Sequence, residues 1–158
     1  MTPIMLMQAL QGFIEKETAG LKMQARAKRN SGEKAERPPG VYIGELPEPD
    51  GTEKIAPYVL LKFLTGKHER NPGEDENKCM VRIVCVAYSE DPQERYIQVL
   101  NLLSRIEFRL LEETVIDSRF TIQSPLEMIV YEDDTEPYKI GEMVTTWELP
   151  AISRKIEY

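Results

Sequence analysis

Hydrophobic and polar positions change period several times along this chain, and the clearest change falls between Cys79 and Leu111. From Cys79 to Tyr88 the residues alternate. Cys79, Val81, Ile83, Cys85 and Ala87 share an apolar face, while Met80, Arg82, Val84, Val86 and Tyr88 share a mixed one. That two-residue period predicts a strand. Ser89-Glu90-Asp91-Pro92 then reads as a turn into a helix, with Asp91 as cap, Pro92 at the first helical position and Glu94 completing a capping-box pattern. At about 100° per residue, Tyr96, Val99, Leu100, Leu103, Ile106, Leu110 and Leu111 form one broad apolar stripe, which predicts packing on the apolar strand face. Ile97, Leu102 and Phe108 fall outside it, either covered by the chain's own elements or facing another subunit. Glu107 is a carboxylate inside the stripe. It predicts a rim position in reach of water, because a lone buried charge is costly.

The flanking segments follow the same logic. Thr2-Pro3 opens a first helix carrying Leu6, Met7, Leu10, Phe13 and Ile14, with Gly20 suited to its end. Leu21 to Ala25 alternates and predicts a short strand. Segment 26–40 holds Arg26, Lys28, Arg29, Lys34 and Arg37 without apolar anchors, and reads as a mobile loop. Val41-Tyr42-Ile43-Gly44 is a short strand, and Pro57 to Leu64, apolar on nearly both faces, reads as a central one. Segment 66–77, with Glu74, Asp75 and Glu76, reads as a long exposed hairpin loop and is also expected to be mobile. Beyond the long helix, Phe120-Thr121-Ile122 begins an extended run that Pro125 bends and Leu126 to Tyr131 resumes. An acidic turn follows at 132–137, and Lys139 to Leu149 returns with Met143, Thr145, Trp147 and Leu149 on one face. Pro150 ends pairing, and residues 153–158 read as a frayed or interacting tail. The fold expected is α+β: a mostly antiparallel sheet with a long helix packed across one face and an N-terminal helix, as a single domain over 1–158.

Composition adds limits. The 158 residues are 41% hydrophobic and 30% charged, ordinary for a soluble globular chain, and no apolar run approaches a membrane span. The N-terminus lacks the pattern of a signal peptide. A net charge of −7 argues against tight non-specific DNA binding, though not against a surface that DNA slides past. Cys79 and Cys85 lie about 20 Å apart on one strand and cannot pair with each other, so buried reduced thiols are expected. His68 is the only histidine and sits in a polar segment, which is poor support for a Ser-His-Asp or Cys-His site. No HExxH, CxxC or phosphate loop occurs, and the acidic runs at 74–76 and 132–134 lack the ligand spacing of a calcium loop. No catalytic residue, metal ligand or cofactor is therefore expected, and a structural or assembly role follows.

Three segments carry a resemblance: Pro57 to Leu61; Arg82 to Asp91, entering the long helix; and Glu136 to Glu142, leading to Thr146 to Ile152. They resemble a family of small proteins encoded in the tail-assembly modules of long-tailed phages and prophages of Gram-positive bacteria. In size and element order such proteins are similar to phage tail terminators, α+β neck-ring subunits that assemble as a hexamer on the tail tube, stop its growth and face the head. The resemblance implies no catalysis. It implies partners that are copies of the chain itself, the tail-tube protein and head-tail connector proteins, with DNA passing through unbound and no membrane. It places the protein in the host cytoplasm during assembly and then in the virion tail. A closed ring needs two different complementary surfaces. Contacts are expected at Arg26, Lys28, Arg29, Lys34 and Arg37, at Glu74, Asp75 and Glu76, and at Ile97, Leu102 and Phe108. A head-side connector or tail-completion protein is the nearest alternative. A small enzyme, a ligand-binding domain or a regulatory adaptor lies further off.

Overall fold

The computed structural model describes residues 2–26, 35–47, 56–71, 74–132 and 136–152. Along them run α1 (Pro3–Thr18), β1 (Met23–Ala25), β2 (Ala35–Arg37), β3 (Gly40–Ile43), β4 (Tyr58–Asn71), β5 (Glu74–Tyr88), α2 (Pro92–Glu113), β6 (Val115–Ile116), β7 (Phe120–Val130) and β8 (Tyr138–Glu148). The fold is α+β. One sheet has the order β3-β4-β5-β8-β7-β6, and β1 and β2 form a separate antiparallel pair. Every pairing in the large sheet is antiparallel except that of β3 with β4.

The alternation in β5 and β8 makes the core. Val81, Ile83, Cys85 and Ala87 on β5, and Met143, Thr145 and Trp147 on β8, are fully buried under the helices. Trp147 Nε1 donates to Thr145 Oγ1 at 2.8 Å, and that hydroxyl donates to the Val81 carbonyl at 2.8 Å, so the indole buries no unmet donor. Gly141 lets α2 approach β8: a Cβ there would stand 2.6 Å from Leu103 Cδ1 and 3.2 Å from the Ile129 carbonyl. α1 buries Leu6, Met7, Leu10 and Ile14, and Gln11 Nε2 donates to the Val41 carbonyl of β3 at 2.9 Å. Asp91 caps α2 by accepting from the Gln93 amide at 3.0 Å. Glu94 does not complete a capping box. It accepts from Gln98 one turn on, and the Asp91 amide donates to Ser89 Oγ instead.

β4 is an interior strand, as its two apolar faces predict: β3 and β5 flank it and Val59, Leu60 and Leu61 are all buried, while β5 and β8 hold the middle of the sheet. Three expectations are corrected. Of segment 66–77, the described residues 66–71 and 74–77 are strand rather than loop: past a bulge between Phe63 and Thr65 the pairing runs on to Asn71↔Glu74, and the two strands continue as an arm. Segment 26–40 is not wholly a loop either. Ala35–Arg37 pair with Ala25–Met23 through backbone groups, which need no apolar anchor. Finally, the buried arc of α2 is rotated from the expected stripe. Leu102 is fully buried, while Tyr96, Leu100 and Leu111 are exposed. The cause is α1, which lies beside the Leu102 flank. Arg109 Nε donates to Glu17 Oε2 at 2.7 Å and Arg105 Nε to the Glu17 carbonyl at 3.3 Å.

Candidate functional site

The exposed flank of α2 is a built surface rather than a scatter of residues. With Tyr96 at zero and about 100° per residue, Leu100, Leu111, Ile97 and Phe108 follow within about 120° of arc. These five side chains are 38–65% exposed, on a helix whose opposite arc, Val99, Leu102, Leu103, Ile106 and Leu110, is buried to 1% or less. Glu107 lies within the outer arc and is half-buried. The face begins at a shallow groove of about 380 Å³ lined by Pro92, Gln93, Tyr96 and Ile97. Lys139 stands 5.8 Å over the Tyr96 ring, which steadies that end.

A second surface lies at the root of the β4–β5 arm. β3 pairs β4 only as far as Ile43↔Leu61, and β8 pairs β5 only from Lys78 on. His68 to Asn71 and Glu74 to Asn77 therefore have no third strand in register beside them among the described residues, and at the base of this arm Asn77 accepts from the Leu149 amide at 2.8 Å and donates to the Pro150 carbonyl at 3.3 Å. At the bulge Phe63 and Leu64 are 47% and 46% exposed. Gly66 makes room for the Phe63 ring, whose Cζ would be 3.2 Å from a Cβ there. Lys62, exposed, precedes the pair. A third apolar group, Met128, Ile129 and Tyr131, is exposed at the far end of β7, where Tyr131 donates its hydroxyl to Glu142 and Arg82 Nε holds the other carboxylate oxygen at 2.7 Å.

The expected contact residues separate. Ile97 and Phe108 lie on the outer face of α2. Leu102 lies in the core, so the isolated fold presents no contact there. Asp75 and Glu76 stand half-buried on the arm, Glu76 3.8 Å from Lys78, and the side chain of Glu74 lies outside the described residues. Lys28, Arg29 and Lys34 also lie outside them. Arg26 stacks 5.5 Å over Tyr88, and Arg37 donates to the Pro57 carbonyl at 3.2 Å, so both serve the fold at one end of the sheet. His68 is exposed on the arm opposite Asn77, not in a cleft.

No family model matches the chain, and no curated protein matches it. Among the described residues no group of three or more His, Cys, Asp or Glu could hold a metal ion, and no helix is long and apolar enough to cross a membrane. Burial pushes the Cys79 thiol up to about 11 and raises that of Cys85 as well, which makes both poor nucleophiles near neutral pH.

One residue of consequence escapes a reading of periodicity. Arg95 is buried on the inner arc of α2, where Nη1 donates to the Ser89 carbonyl and Nη2 to Glu136, both at 3.2 Å. It ties the start of α2 to the turn before β8. Its only signal in the sequence is its place on the same arc as Val99, Leu102 and Ile106.

Proposed function

We propose that this chain is a structural subunit of a phage tail that assembles as a ring and caps the tail tube in the manner of a tail terminator. The observation that carries the proposal is the outer face of α2. Five large apolar side chains face water on a helix that is otherwise well capped and well packed, and contiguous exposed apolar surface marks a contact site. The resemblance of the segments at 57–61, 82–91 and 136–152 supplies the setting, and the negative charge suits a ring through which DNA passes without adhering. Six copies, the tail-tube protein and the head-tail connector are the partners this role requires.

Deletion of the gene from its phage, followed by electron microscopy of the particles, tests the role. Overlong tails are expected for a lost terminator. Tails of normal length detached from heads would assign the chain to the connector instead, and normal virions would end the assembly reading altogether.

A further inference from the structure

We infer that residues 152–158 of one copy add as a strand to the open edge of β7 in the next, between Leu126 and Tyr131, with Arg154 meeting Glu107 beneath the bare flank of α2. This contact rests on the ring reading and names what joins one copy to its neighbour.

The two edges of the large sheet differ. At β3 the Gly40 and Gly44 amides donate to the Pro57 and Leu61 carbonyls, which turns Val41 and Ile43 outward. That edge is occupied: Gln11 Nε2 donates to the Val41 carbonyl and the Glu45 amide to that of Ile43, both at 2.9 Å. At the other edge β6 pairs β7 only at Phe120 and Thr121, and beyond it no described strand lies on that side of β7. The Tyr131 amide donates to the Ile140 carbonyl of β8 at 3.0 Å, so Met128 and Val130 turn their amides and carbonyls away from β8. No described group meets them. Met128 and Ile129 are exposed, and such an edge is a template for another strand.

α2 overhangs this edge. Leu103 Cδ1 and Val130 Cγ2 stand 2.6 and 3.5 Å from one point, the place of a Cβ on Gly141, so the two side chains meet there. α1 lies on the Leu102 side of the helix. The flank on from Leu103, with Tyr96, Glu107, Leu100 and Leu111 inside about 80° of arc, therefore stands over the space beside β7. A strand laid there needs an apolar inner face with one cation, because Glu107 is half-buried and has no described partner. Residues 152–158, Ile-Ser-Arg-Lys-Ile-Glu-Tyr, have that pattern. Ile152, Arg154, Ile156 and Tyr158 fall on one face at a two-residue period, and Lys155 on the other, where β7 presents Glu127.

The segment does not fill its own edge. Pro150 is held by Asn77, on the β5 side of β8. The open edge lies beyond β7, and its nearest part, at Glu127, is opposite Val144, about 20 Å back along β8 from Pro150. Two residues spanning about 7 Å link Pro150 to Ile152. The contact therefore passes between copies. Tail and edge are different surfaces, so strand addition here is head-to-tail, and its repetition gives a ring when the rotation closes.

Two measurements test it on the full-length chain. The first is sedimentation velocity on Glu107→Arg, Arg154→Glu and the double variant. Each single reversal is expected to weaken self-association by about tenfold or more, and the double variant to recover most of it. A thermal melt of each variant confirms that it folds. The second is oxidative cross-linking of Ile156→Cys mixed with Leu126→Cys or with Val130→Cys. Both native thiols are buried, so the engineered ones report alone. An antiparallel strand is expected to link through position 126 and a parallel one through position 130, with no variant linking by itself. If assemblies persist but neither mixture cross-links, or the double reversal restores nothing, this contact is wrong while the ring reading stands. A link formed by Leu126→Cys or Val130→Cys alone would put a second β7 at the edge and overturn the contact likewise. If the wild-type chain stays monomeric at every concentration, the ring reading fails and the contact with it.

Discussion

The two arcs of α2 are built from the same kinds of residue and meet opposite fates. Val99, Leu103, Ile106 and Leu110 lie on the sheet, and Leu102 is covered on the flank that α1 occupies. Tyr96, Ile97, Leu100, Phe108 and Leu111 are no less apolar, yet each is left at least 38% exposed, with Lys139 of β8 reaching over the Tyr96 ring. Periodicity measures how apolar a face is. It does not measure whether the chain has anything left to put there. Here one helix, α1, decides between the two flanks, and the flank it leaves bare is the surface on which an assembly contact is proposed.

The sharpest way to break this comparison is to cut one residue from each arc. Leu103→Ala removes a fully buried side chain above Gly141 and is expected to cost about 2–5 kcal/mol, lowering Tm by about 5–15 °C. Leu100→Ser, three residues away on the outer arc, is expected to change the stability of the monomer by about 0.5 kcal/mol or less and to act on self-association instead. Thermal melts by circular dichroism at low concentration, paired with sedimentation, separate the two. Equal losses of Tm would mean that the outer arc is covered after all.

The inner arc can be pressed from below as well. Gly141→Ala places a methyl against Leu103 Cδ1 and the Ile129 carbonyl. A leucine without exposure has little room to yield, so overpacking of about 1–3 kcal/mol is expected. The check is a denaturant midpoint, with restoration on combining Gly141→Ala and Leu103→Ala, since the added carbon then fills space that the leucine vacated. Additive losses would show that the strain lies against the Ile129 carbonyl.

These residues also show what was legible beforehand. The alternation from Cys79 to Tyr88, the Asp91-Pro92 helix start and the returning strand around Trp147 can be read because each depends on neighbours two to four residues apart. The arm cannot be read that way. Its strands between Thr65 and Lys78 carry polar side chains on both faces and are held by each other's backbone groups, so they read as a loop. Leu102 and Leu100 exchange places because their burial depends on α1, some ninety residues earlier in the chain, through Glu17 and Arg109. On the bare outer face of α2, Ile97 and Phe108 stand out in the sequence as apolar residues off the stripe. The exposed Phe63 and Leu64 of β4 do not, since without the bulge they read as ordinary strand positions.

The smallest expected effect bears on what holds α1 to its flank. The guanidinium of Arg109 donates to both oxygens of Glu17, at 2.7 and 3.3 Å. That hydrogen bond lowers the pKa of Glu17 below its ordinary 4.5, against a smaller opposing effect of burial. A carboxyl whose folded pKa lies below its unfolded one stabilises the fold fully above the unfolded value, and loses that contribution as pH falls through the folded value. The stability gap between wild type and Glu17→Gln is therefore expected to be constant at neutral pH and to close only below pH 4.5. Water and salt reach the pair, so the gap is small and shrinks with ionic strength. Denaturant midpoints for both chains, taken from neutral pH down through the carboxylate range, give the comparison. A gap that widens with acid would mean that Arg109 does not hold Glu17 in its charged form, and that packing alone keeps α1 over Leu102.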